Sequence, residues 1–187
     1  MKKHIVTACL YTLFTTLLLG VGYPLLITGI AQLTMRHKAD GQLIVRNGVT
    51  TGSALIGQPF TGPAYFHSRP SAAGTGYDAS ASSGSNLGPT NKALVTRVAE
   101  SVRVEGGTTA VPVDLVTASA SGLDPDITPA AAMYQVARVA QARHLPVTVL
   151  QDLVGKHVTA RQFGLLGEPR VNVLGLNLAL DDLPASR

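Results

Sequence analysis

The run from Ile5 to Leu33 carries no charged side chain, and nothing else in this 187-residue chain limits its folding as strongly. A helix crosses the hydrocarbon core of a bilayer with about 20 apolar residues, so the run is long enough to span it. Pro24 and three glycines lie within it, and membrane helices tolerate both residue types. Tyr11 and Tyr23 lie toward its two ends, as interfacial aromatics do. The rival reading is a cleaved signal peptide, which needs an apolar core of about 7–15 residues and then a small-x-small site. Gly29-Ile30-Ala31 has that form, but the apolar run is too long for it. An uncleaved anchor over residues 1–36 is expected, with the membrane-embedded part at about 7–29.

The net charge of +4 belongs to this segment. Lys2, Lys3, Arg36 and Lys38 flank the apolar run, and from residue 39 onward eleven Lys/Arg face eleven Asp/Glu. The basic balance is therefore a membrane-flank signal and not the basic stripe of a nucleic-acid binder. Orientation is nearly undetermined by charge alone. Lys2, Lys3 and the α-amino group stand against Arg36, Lys38 and Arg46. The expectation is N-terminus inside and the remaining domain outside. Cys9 is the single cysteine, so no intrachain disulfide forms.

Residues 37–187 read as one α+β domain of mixed α/β build, with a β-hairpin and three to four helices. Asn47-Gly48 accepts the positive φ angles of a type I′ turn between strands at Gln42–Arg46 and Val49–Ile56. Leu94, Val98 and Val102, with Val95 beside them, make one apolar helical face. That helix starts at Thr90 or Asn91 and ends at Gly106-Gly107. The run "PVDLVTASAS" is expected to be a short buried strand. Thr128-Pro129 is a helix start with the proline at the first helical position. Ala132, Val136, Val139 and Ala140 form that helix's buried side, and Arg138 and Arg143 its polar side or C-terminal end. Val147, Leu150, Val154 and Val158 share another helical face. Residues 172–183 fit either a helix capped by Asn172 or an alternating strand, and Gly175 weakens the helical reading.

No phosphate-cradling G-x-x-x-x-G-K-[ST], no H-E-x-x-H, no G-x-S-x-G and no Ser-x-x-Lys occurs in the chain. Its five histidines are not at metal-ligand spacing, and His67 reads as a satisfied polar residue. No catalytic residue and no metal site is expected. Asp124 and Asp126 flank Pro125 before the helix start. They read as loop-ending acids that favour a helix N-terminus, against a cation-attracting or partner-facing corner. Gln135, in mid-helix, reads as facing solvent or an interface.

Three blocks carry a family resemblance: "GSALIGQPF…YFHSRPSAAGTGYDASASSGSNLGPTN", "DLVTASASGLDPDITPAAAMYQVARVA" and "GEPRVNVLGLNLALD". With one N-terminal membrane helix, they resemble the C subunit of the Kdp-type potassium-transporting ATPase of bacteria, from the anchor to Asp181. The resemblance implies an accessory subunit of the inner membrane, single-pass and without catalysis of its own. Its partners would be the channel-like potassium-binding subunit, the P-type ATP-hydrolysing subunit and a small stabilising peptide. It is described as a catalytic chaperone that raises the pump's affinity for ATP. A nucleotide contact ascribed to the family would fall on Ser119, Ser121, Gly122 and Gln135. There "TASASGLD" resembles the signature loop of ABC ATPases, with serines and glycine out of order. A domain outside the membrane cannot touch a cytoplasmic ATP site, so no cofactor is expected to be tightly bound, and ATP enters only through the complex. The alternatives are an anchored extracytoplasmic cell-wall enzyme and a direct nucleotide-binding module.

The Gly- and Ser-rich stretch from Tyr65 to Asn91 is the remaining puzzle. A flexible tether has no use for Tyr65, Phe66, Arg69 and Tyr77, whereas aromatics and Arg anchor interfaces. The stretch is expected to be an ordered loop that docks on the channel-like subunit through Tyr65, Phe66, Arg69, Tyr77, Asn86 and Asp124. The alternative is that it covers the domain's own core, with Tyr65 and Phe66 pointing inward.

Overall fold

The computed structural model describes residues 1–106 and 110–184. Gly107, expected to help end a helix, lies outside the described residues. The chain divides into two compact units, Met1–Ser53 and Ala54–Arg187.

In the first unit, helix α1 (Lys2–Leu17), a π-helical turn (Leu18–Gly22) and α2 (Tyr23–Thr34) run on as one helix of 33 residues. It is long and apolar enough to cross a membrane, and none of its residues is buried. Pro24 explains the π turn. Its ring cannot sit against the carbonyl four residues back or donate to it, and a widened turn relieves both problems. A short helix, α3 (Arg36–Ala39), follows. Strands β1 (Leu43–Arg46) and β2 (Val49–Ser53) then form an antiparallel hairpin. Its turn is the expected Asn47-Gly48, with φ of +52° and +76°. A bulge between Ile44 and Val45 breaks the register, and β2 ends at Ser53, three residues short of Ile56.

Among the described residues the second unit has four helices; three of them pack against a small antiparallel sheet, and the first in chain order buries none of its residues. Helix α4 (Lys92–Glu105) is capped by Asn91, whose side chain accepts from the Ala93 N–H, and it ends at Gly106 in the left-handed conformation. Helix α5 (Pro129–Arg143) begins as expected: the Thr128 hydroxyl accepts from the Ala131 N–H, and Pro129 opens the helix. Ala132, Val136, Val139 and Ala140 are buried, as expected. Helix α6 (Val147–His157) buries Leu150, Leu153 and Val154, whereas Val147 is half out in solvent. Strands β3 (Asp126–Ile127), β5 (Arg170–Asn172) and β4 (Val158–Thr159) lie in that order, antiparallel. Helix α7 (Val173–Asp181) follows β5 directly.

Two sequence readings are decided by local chemistry. Asn172 accepts from the Gly175 N–H and starts α7, so the helical alternative for 172–183 holds. Gly175 therefore falls in the first turn, where its poor propensity weighs little against a satisfied cap. The strand expected in "PVDLVTASAS" is instead a 3-10 turn at Val113–Leu115 followed by irregular chain. The Asp114 carboxylate accepts from the Thr128 N–H at 2.8 Å. That bond ties the turn to the mouth of α5 and leaves Leu115 and Val116 buried without any strand partner. The core joins Phe66, Leu115 and Ile127 to the inner faces of α5, α6 and α7.

Candidate functional site

Residues 54–91 contain neither helix nor strand, so their backbone polar groups find partners elsewhere. Asn177 on α7 provides the first pair. Its Oδ1 accepts from the Phe66 N–H and its Nδ2 donates to the Phe66 carbonyl, both at 2.9 Å. Gln135 on α5 serves the next residue. Its Oε1 accepts from the His67 N–H at 2.7 Å and its Nε2 donates to the His67 carbonyl at 3.2 Å. Both amides are 1% exposed. Together they stand in for the neighbouring strand that this segment lacks.

Two arginines extend the clamp. Arg138 donates to the carbonyls of Pro63 and Tyr65 at 2.8 and 3.0 Å. Arg143 donates to the Ala64 carbonyl at 2.8 Å, pairs with Asp181 at 2.7 Å and lies 4.5 Å over the Tyr65 ring. Gln135 is thus not on a solvent face. The loop lies across that side of α5, and a side chain with both a donor and an acceptor satisfies it. The His67 ring contacts the Gly62 carbonyl at 3.0 Å, and burial lowers its pKa from the usual imidazole value.

Beyond His67 the loop folds against the segment 117–124. Arg69 pairs with Asp124 at 3.1 Å, and the Tyr77 hydroxyl donates to the Arg69 carbonyl at 2.7 Å. Burial raises the Tyr77 pKa. The Ser71 hydroxyl donates to the Gly122 carbonyl at 2.6 Å and accepts from the Tyr77 N–H at 2.7 Å. The Ser83 N–H donates to the Ser121 carbonyl at 2.9 Å. Gly122 sits in this seam with φ +66°, and a Cβ there would lie 2.5 Å from the Ser83 oxygen.

A shallow cleft of about 340 Å³ opens beside the Arg69–Asp124 pair, with Asp114, Asp126, Glu168 and Arg170 on its walls. Its acids are engaged internally. Asp126 pairs with Arg170 at 3.0 Å and accepts from Asn172, while Asp124 also accepts from the Asp126 N–H. Burial raises the Asp126 pKa despite these partners. Asp124 and Asp126 therefore shape the loop before α5, and among the described residues no group of three metal-capable side chains converges.

The structure gives the candidate interface residues different roles. Phe66 is fully buried in the core. Tyr65, Arg69, Tyr77 and Asp124 are half-buried and bonded within the unit, whereas Asn86 is exposed at φ +52°. Ser119, Ser121 and Gly122 form one turn against the loop. Gln135 is occupied with His67. Sequence reasoning missed Asn177, although a lone amide inside the apolar stripe Val173, Leu176, Leu180 was a visible signal.

The chain thus falls in the class of α+β proteins with one N-terminal helix long and apolar enough to cross a membrane. The comparisons give that class its family. The family model described as KdpC, K+-transporting ATPase, c chain, matches residues 5–182. The potassium-transporting ATPase KdpC subunit of Acidobacterium capsulatum is 62% identical over 182 residues, covering 97% of this chain and 99% of that one. The KdpC subunit of Koribacter versatilis is 60% identical over 97% of this chain and 95% of its own. That of Gemmatimonas aurantiaca is 59% identical over 100% of this chain and 96% of its own. The chain belongs to the KdpC family, and is an accessory subunit of the potassium-transporting ATPase, not its catalytic one.

Proposed function

We propose that this chain assembles and stabilises an ATP-driven, high-affinity potassium import complex and raises the affinity of its P-type subunit for ATP. Its neighbours are the channel-like potassium-binding subunit, the P-type subunit and a small stabilising peptide. It is held in the bacterial inner membrane by one span, N-terminus inside and soluble unit outside. From that side it influences ATP binding only as a coupling free energy through the complex, typically a 5- to 150-fold change in affinity.

The observation that carries this reading is the clamped loop. Fixing a backbone costs about 1–2 kcal/mol per residue, so a stretch without helix or strand is ordered only where many groups hold it. Asn177, Gln135, Arg138 and Arg143 do so from one side, and Ser71 and Tyr77 from within. The outcome is a rigid, irregular surface suited to docking through Tyr65, Arg69, Tyr77, Asn86 and Asp124, with Phe66 anchoring it from beneath. The engaged state of Ser119, Ser121, Gly122 and Gln135 favours coupling through the complex over a direct nucleotide contact. The test is ATP hydrolysis by the purified pump with and without this chain. The expected result is a KM for ATP at least fivefold higher without it, restored by adding it back. An unchanged KM in an intact pump lacking the chain would sink the proposal.

A further inference from the structure

Leu43 and Val45 alternate along β1 and so share one face of the hairpin. They are 52% and 58% exposed. Among the described residues of the first unit, Ser53 alone is buried. A two-stranded hairpin with no core beneath it is marginally stable in water and needs a surface to lie on.

The hairpin's place in the chain selects that surface. Only Met35 to Gln42 separate β1 from the membrane-length helix, and they are coiled, not extended. The Gln42 N–H donates to the His37 carbonyl at 3.0 Å. The Gln32 amide, in the last turn of α2, donates to Asp40 at 2.8 Å, and the Ser53 hydroxyl donates to the Gly41 carbonyl at 2.6 Å. The charge-free run ends at Leu33, itself 88% exposed. The last turn of α2 therefore lies where hydrocarbon gives way to headgroups, and the hairpin is bonded back toward it. Charge points the same way. Lys2, Lys3, Arg36, Lys38 and Arg46 against Asp40 put the whole net charge of +4 in the first unit, and the second is formally balanced. Arg36 pairs with Asp40 at 3.6 Å, and Lys38 is exposed beside them.

We propose that the hairpin is a second membrane contact: its Leu43–Val45 face rests in the headgroup layer of the bilayer that holds this chain's own span, drawn there by anionic lipid. The inference rests on the single-span reading above. An anionic leaflet attracts Lys and Arg that lie within a Debye length of it. A second copy of this chain would bring the same excess of positive charge and be repelled. Leu43 and Val45 meanwhile leave water for the apolar side of the interface.

The test uses the full chain, co-expressed with the rest of the pump. A photoreactive benzoyl-phenylalanine at position 45 is expected to form an adduct with phospholipid. An adduct with another subunit or with a second copy of this chain, or no adduct at all, overturns the proposal. Release of the unsubstituted chain from membranes by carbonate would overturn the single-span reading, and the proposal with it. A second measurement reads the role of charge. The Val45→Cys chain in a Cys9→Ser background carries an environment-sensitive fluorophore and is reconstituted into vesicles. Shallow spin-labelled lipid is expected to quench it in phosphatidylglycerol and much less in phosphatidylcholine. Lys38→Gln is expected to lower the ratio of docked to free hairpin about fivefold in phosphatidylglycerol alone. Equal quenching in both lipids, or a ratio unchanged by Lys38→Gln, overturns the proposal.

Discussion

Asn177 bears more on the placement of the candidate surface than any residue on that surface. Its amide satisfies both backbone groups of Phe66 in a region closed to water. Truncation leaves a buried donor and a buried acceptor unpaired, each costing about 1–3 kcal/mol. Asn177→Ala is expected to destabilise the chain by about 2–4 kcal/mol in urea unfolding. Gln135→Ala should cost less, because the His67 backbone it serves is only partly buried. Equal, near-zero losses would show that the clamp contributes nothing. Residues of this kind were hard to read in the sequence. Asn47-Gly48, Thr128 and Asn172 act on neighbours two or three positions away, and their roles follow from local chemistry alone. Asn177 and Gln135 act on partners 111 and 68 positions away, and no spacing rule reaches that far.

Elements follow the same division. Helix α5 announced itself through its cap, its proline and its buried periodicity. The sheet did not, because strands of two or three residues are too short for an alternation to register. The run 112–121 looked like a strand for a related reason. Leu115 and Val116 within it are buried, but by a 3-10 turn and a seam against the loop instead of a ladder, while Val113 faces solvent. Gly122 is the tightest point of that seam. A methyl group there meets the Ser83 oxygen at 2.5 Å and the Ala73 nitrogen at 2.7 Å, with φ already at +66°. Gly122→Ala is therefore expected to lose about 2–3 kcal/mol through strain and separation of the two segments. Limited proteolysis should then cut first within residues 71–91. A variant with wild-type stability and an uncut loop would mean the seam yields freely.

At the scale of the whole chain, the one property its charges leave open is which side of the membrane the second unit occupies. Three positive groups precede the apolar helix and three follow it closely, so the positive-inside bias is weak. The proposed function depends on the answer. With the second unit outside, any influence on ATP passes through the pump as coupling. With it inside, a direct contact at Ser121 becomes geometrically available again. Cys9 is the single thiol, so a Cys9→Ser background is silent to thiol reagents. Thr75 is exposed between Gly74 and Gly76. In intact cells carrying Thr75→Cys in that background, a membrane-impermeant maleimide is expected to label the chain without permeabilisation. Labelling that appears only after permeabilisation would place the clamped loop in the cytoplasm. Docking on the outer face would then be ruled out, while the fold and the family would stand.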